Sequence, residues 1–166
     1  MQFNQTTPSA NQHADEFLLG WAPQSFPKKK DENESRRVAA ASNAAPSQCW
    51  FNARRVIDRM ENYAKASYVE GWCVLNGGMC VEHGWLVLNG VIIDPTLPEG
   101  VIAYFPGLEF RGREGIADFL KTREGRKCRK SPFFYAFGWG GGQSRSFMAA
   151  YRRCLEFVDS LIARDS

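Results

Sequence analysis

The dipeptide Asn89-Gly90 stands between two short aliphatic runs, HGWLVL and VIID. A two-residue connection of that composition selects a type I′ turn, because both central positions need positive φ and the turn's twist matches that of the flanking strands. Fixing the turn fixes the register: Leu88 falls opposite Val91, Val87 opposite Ile92, Leu86 opposite Ile93 and Trp85 opposite Asp94. Paired residues share a face of the sheet, and so do residues two apart along a strand. His83, Trp85, Val87, Ile92 and Asp94 are thereby predicted to lie on one face. His83 and Asp94 become diagonal neighbours with Cα atoms about 7–8 Å apart, within reach of a hydrogen bond between their side chains. A slip of one residue would put them on opposite faces.

The surrounding pattern predicts a single α+β domain. With 166 residues the chain is long enough to bury one core. Residues 1 to 45 are polar, proline-punctuated and carry the charge run KKKDENESRR, so they are expected to form a flexible N-terminal tail, with Phe17, Leu18 and Trp21 as its docking residues. The domain proper is expected over 46–166. Ser47 is a plausible N-cap for a helix whose apolar stripe runs through Cys49, Ala53, Val56, Ile57, Met60 and Tyr63. SYVEGWCVL reads as a strand, NGGM as a turn, VIAYF as another strand and GREGIADFLKTREG as a short helix. Ser144 is placed to cap a C-terminal helix with Phe147, Tyr151, Cys154, Leu155, Val158 and Ile162 on one face.

The chemistry of this arrangement follows from its order. A carboxylate beside an imidazole fixes the tautomer and supports the charged ring, leaving the other nitrogen to exchange a proton with a thiol. Cys49 sits where a helix is expected to start, and free N–H groups and the macrodipole there favour a thiolate and supply donors for an oxyanion. Cys49, His83 and Asp94 are thus candidates for nucleophile, base and orienter. Gln48, Asn52 and Asn43 are candidates for a further oxyanion donor. Each residue also has a plainer reading: Cys49 as a buried core thiol, His83 as a hydrogen-bonded structural histidine, and Asp94 before Pro95 as turn chemistry.

The order CWFNA, YVEGW, EHGWLV, IIDPT over roughly residues 46 to 105 resembles the papain-like superfamily of cysteine enzymes, which includes NlpC/P60 and transglutaminase-like proteins, and is similar to a group of small bacterial and phage proteins. The resemblance implies a helix bearing the cysteine packed on a small antiparallel sheet that carries the histidine and its Asp partner, with Cys49 as nucleophile, His83 as base and Asp94 as orienter. It implies acyl transfer on a protein or peptide-like amide, as peptidase, amidase, deamidase or transglutaminase, with no cofactor. Papain-type enzymes carry a glutamine several residues before the cysteine, whereas Gln48 is immediately adjacent here.

Other features admit other functions. Between Arg111 and Lys130 eight Lys/Arg face three Asp/Glu, within a chain of net charge +3, and Arg126, Lys127, Arg129 and Lys130 form the densest part. A non-enzymatic phage or mobile-element protein that holds nucleic acid or a host protein, as an inhibitor does, would use such a segment. Cys73, Cys80 and His83, with Cys49 or Cys128, admit a zinc reading, weakened by the lack of any Cys-x-x-Cys pair. Glu70 and Glu82 flank the strands as expected solvent-facing carboxylates, and GWGGGQS reads as a hinge. Five cysteines, no signal-like N-terminus and no long apolar run together suggest a cytoplasmic protein with reduced thiols.

Overall fold

The computed structural model describes residues 29–164. Over them the chain is α+β, with a five-stranded mixed sheet and five α-helices. Strand β1 is Lys29–Lys30, followed by helices α1, Glu32–Ala41, and α2, Cys49–Arg59. Strands β2, Ser67–Leu75, β3, Cys80–Leu88, β4, Val91–Ile93, and β5, Val101–Arg111, complete the sheet. Helices α3, Gly112–Lys121, α4, Arg123–Lys127, and α5, Arg145–Ile162, close the chain. The strand order is β1-β4-β3-β2-β5; β1 runs parallel to β4 and the other pairings are antiparallel.

The turn between β3 and β4 has the expected form. Asn89 and Gly90 take φ of 52° and 76°, and the register is Leu86 with Ile93, Val87 with Ile92 and Leu88 with Val91. One face of the sheet carries Tyr68, Glu70, Trp72, Gly84 and Leu86, and α2 and α5 pack against it. The main core forms there, joining Ala53, Val56 and Ile57 of α2 to Tyr68, Leu86, Leu108, Phe110, Phe133 and Phe147. Trp72 contacts Phe147 and Tyr151 of α5 with ring centroids 5.5 and 4.4 Å apart. Ser144 caps α5 as expected, accepting from Phe147 N at 3.3 Å, although Leu155 and Ile162 of its stripe are exposed. The opposite face carries a small cluster of Val69, Trp85 and Ile92, with Val87 and Tyr104 against it.

A bulge in β5 decides which residues that second face receives. Glu70 pairs with Leu108 but Gly71 with Pro106, so Gly107 is an extra residue. Before it Leu108 and Phe110 point into the main core; beyond it the alternation is inverted and Tyr104, paired with Cys73, falls on the face of Trp85. Only glycine fits at the bulge, since a Cβ there would stand 2.9 Å from Phe147 Cα.

Two expectations are corrected here. The tail over 1 to 45 is structured across its last part: β1 and α1 are regular elements, Asp31 caps α1 by accepting from Glu34 N at 2.8 Å, and Ser35 and Val38 are fully buried. The polar composition conceals one small buried face of α1 that docks beside β4. Phe17, Leu18 and Trp21 lie outside the described residues. The cysteines are not all free: Cys80, opening β3, forms a disulfide with Cys154 of α5. Cys49, Cys73 and Cys128 remain thiols. Among the described residues no helix is long and apolar enough to cross a membrane.

Candidate active site

The β3–β4 hairpin brings His83 and Asp94 together. His83 Nε2 lies 2.8 Å from Asp94 Oδ2, and both residues are buried. Asp94 has two jobs, divided between its oxygens. Oδ1 accepts from the backbone N–H groups of Thr96 and Leu97 at 3.0 and 2.9 Å, which is the turn chemistry expected of Asp-Pro-Thr. Oδ2 faces the imidazole and also accepts from the Tyr104 hydroxyl at 2.8 Å. The Asp94 backbone N–H donates to Ser35 Oγ of α1 at 2.9 Å, which fixes the strand end from behind.

Cys49 opens α2 and is half-buried. Ser47 does not cap the helix: it takes φ of 60°, and Gln48 occupies the cap position without a side-chain bond to the first turn. The uncapped end leaves first-turn N–H groups without partners in the helix. The helix approaches the sheet over Gly84, next to His83, where a Cβ would lie 3.0 Å from Trp50 Cα and 3.1 Å from Trp50 N. The start of α2 thereby lies near β3 at His83, and Cys49 is among the groups that favour the charged form of the His83 ring. With Nε2 held by Asp94, Nδ1 is the nitrogen left for sulfur.

The electrostatics favour a charged ring. Burial pushes the His83 imidazole down, but the Asp94 charge, the Asp94 hydrogen bond and the contact with Cys49 outweigh it and hold His83 up at about 9. Burial pushes the Asp94 carboxyl up, yet the imidazolium, the Leu97 N–H and the Tyr104 hydroxyl hold it below its ordinary value. Burial, then the Asp94 charge and hydrogen bond, push the Tyr104 phenol up, so it stays a donor. Lys30 of β1 stands over the Tyr104 ring, 5.6 Å from its centroid, and donates to Leu97 O at 2.5 Å. Burial lowers its affinity for a proton, and nearby Asp94 partly restores it.

The remaining candidates fall elsewhere. Asn52 is not an oxyanion donor: it is fully buried, and Nδ2 donates to Ala45 O at 2.7 Å and Thr96 Oγ1 at 2.9 Å. Its Oδ1 accepts from Ala45 N at 3.1 Å, so it ties the α1–α2 connection to the loop after Asp94. Asn43 lies in that connection with φ of 50°. Gln48 is exposed beside Cys49 and stays a candidate. Glu70 is not solvent-facing: it is buried on the main-core face, accepting from Phe133 N and Phe134 N at 2.7 Å each and from the Tyr68 hydroxyl. Glu82 is exposed. The zinc reading fails on Cys80, which is in the disulfide, and no cluster of three or more His, Cys, Asp or Glu suited to a metal exists among the described residues. Arg126, Lys127, Arg129 and Lys130 are exposed on and after α4.

Sequence reasoning missed Tyr104, Lys30 and Ser35. Tyr104 carries no local signal, because the bulge that turns it toward Asp94 is visible only in the pairing with β2. Lys30 and Ser35 lie within a charge run that reads as solvated. No protein-family model, curated protein or solved structure matches the chain.

Proposed function

We propose that the protein is a cysteine-dependent acyl-transfer enzyme of papain-like type, with Cys49 as nucleophile, His83 as acid–base and Asp94 as orienter. The observation that carries this reading is the buried His83 held by Asp94 at 2.8 Å, with Cys49 at an uncapped helix start among the groups that support the ring's charge. Cys49 sulfur attacks the carbonyl carbon of an amide and forms a C–S bond, while the carbonyl electrons move to oxygen. The Cys49 N–H and the Gln48 side chain are the donors placed to meet that oxygen. As the tetrahedral adduct collapses the C–N bond breaks, and the imidazolium gives its proton to the leaving amine. Water or a second amine then attacks the thioester, passing its proton to His83, and sulfur leaves. Asp94 stays ionised throughout and holds the ring by Nε2. Tyr104 and the Thr96 and Leu97 N–H groups keep that carboxylate charged and still.

The test is selective alkylation. Iodoacetamide at mildly acidic pH, followed by peptide mapping, should modify Cys49 far faster than Cys73 or Cys128, which are buried and whose thiols burial pushes up. Equal, slow labelling of all three thiols would reject the reading.

A further inference from the structure

A cleft of about 410 Å³ lies between α2 and α3. Its walls carry Arg54, Arg55, Arg59, Arg113 and Arg129 against a single carboxylate, Asp58. Its floor is aliphatic, made of Ile57, Ile116 and Leu120, with Phe51 at one end. Neither feature belongs to the triad, whose residues do not line the cleft.

The arginines differ in what they already hold. Arg113 donates to Ile57 O and Glu61 at 2.7 Å each, and Arg54 donates to Cys128 O at 3.2 Å and lies over the Trp50 and Phe133 rings. Those two are fixed parts of the wall. Arg59 and Arg129 are exposed and carry no hydrogen-bond or ion-pair partner among the described residues. A guanidinium presents a fork that matches a carboxylate bidentately, so two unengaged arginines over an aliphatic floor suit carboxylates flanking a large apolar side chain. A cleft of this volume holds a side chain of that size. Stacked bases suit it less well: its lining has one aromatic, Phe51, and Arg55 already stands over that ring at 4.9 Å.

We propose that this cleft is a docking site for an acidic peptide segment carrying large aliphatic or aromatic side chains. The carboxylates engage Arg59 and Arg129, and the apolar side chain enters over Ile57, Ile116 and Leu120. The site stands apart from the acyl-transfer chemistry and does not require the Cys49 thiol.

The experiment measures fluorescence anisotropy of a fluorescein-labelled peptide of repeated Glu-Glu-Leu triplets, titrated with the full chain at low salt. Binding is expected, weakened by added salt and unchanged by Cys49→Ser. Arg59→Glu with Arg129→Glu should weaken it by about tenfold or more. The charge-matched pair Arg126→Glu with Lys127→Glu, outside the cleft, should weaken it by less than about threefold. Ala117→Phe, which fills the exposed mouth of the cleft from α3, should weaken it without altering charge. A Glu-Glu-Ser peptide should bind at least about tenfold more weakly, since it lacks the apolar anchor. No binding of the Glu-Glu-Leu peptide, equal losses in the two charge-reversed pairs, or equal binding of the Glu-Glu-Ser peptide would overturn the proposal. So would oligothymidylate displacing the peptide at equal or lower concentration, which would make the cleft a polyanion site. Because binding is read with Cys49→Ser as well, loss of the catalytic reading leaves this result standing.

Discussion

The two faces of the sheet are built by different means. The face under α2 and α5 is a broad apolar core of aromatic and aliphatic side chains, and a buried carboxylate there, Glu70, holds backbone N–H groups of the segment after α4. The opposite face has a small apolar cluster of Val69, Trp85 and Ile92, with Cys73 also buried, and beside them a polar chain runs from His83 through Asp94 to Tyr104. Both faces bury an acid, and burial pushes both acids up. Glu70 ends above its ordinary value because burial outweighs the hydrogen bonds from Tyr68, Phe133 and Phe134 and the charge of Arg54, whereas Asp94 ends below because the His83 imidazolium and its other donors outweigh burial. The lesson is that depth alone does not set the direction in which a buried carboxyl shifts; a cation hydrogen-bonded directly to it reverses the effect of burial.

That contrast can be broken by mutation. The largest expected effect is on reactivity: His83→Gln keeps an amide donor toward Asp94 but removes the imidazolium, and iodoacetamide labelling of Cys49 near pH 6 should slow by about a hundredfold. Labelling within about twofold of the unmodified protein would show that the thiol and the ring do not act together. On the other face Glu70→Gln replaces one acceptor oxygen with an NH₂ group aimed at a backbone donor. It should cost roughly 2–3 kcal/mol in urea unfolding and leave Cys49 labelling unchanged. A labelling defect in a folded Glu70→Gln variant would mean the two faces are coupled.

The pH dependence sharpens the same comparison. His83 is held up at about 9 in the fold, so its charge stabilises the native state fully below its ordinary pKa of 6.5. That contribution, on the order of 3 kcal/mol, is lost as pH rises through about 9. Urea midpoints should therefore fall between pH 6.5 and 9 in the unmodified protein and stay flatter in Asp94→Asn, which loses the carboxylate that raises the histidine. A matching slope in both would remove the ion pair as its source. The smallest effect is expected from Tyr104→Phe, which takes one neutral hydrogen bond from Asp94. A loss of about 1 kcal/mol and a slowing of Cys49 labelling of less than about fivefold should be seen. A loss as large as that of His83→Gln would make Tyr104 a member of the reacting set.

What the sequence disclosed divides along local and distant lines. The hairpin was legible because Asn89-Gly90 specifies its own φ values and, through them, which side chains share a face. Cys49 at a helix start was legible from the 3.6-residue stripe behind it. Ser47 as a cap was not borne out, because a residue with positive φ does not take the extended N-cap conformation. The role of Glu70 depends on N–H groups more than sixty positions away in the chain, and that of Tyr104 on a bulge formed against another strand. The buried side of α1 rests on two residues, Ser35 and Val38, too few to outweigh the charges around them in a periodicity reading. The Cys80–Cys154 link joins positions 74 apart, a pairing no local pattern announces.

The hairpin has a consequence for when the site comes into being. His83 and Asp94 are 11 positions apart and meet as soon as their two strands pair, so base and orienter assemble from one short stretch. Cys49 precedes that stretch and joins it only when α2 settles over Gly84 and the main core closes. During synthesis the thiol emerges first, ahead of the histidine, and the two are brought together only when α2 docks. On the proposed reading the pair on the hairpin is complete by itself, and the thiol joins it through tertiary packing alone.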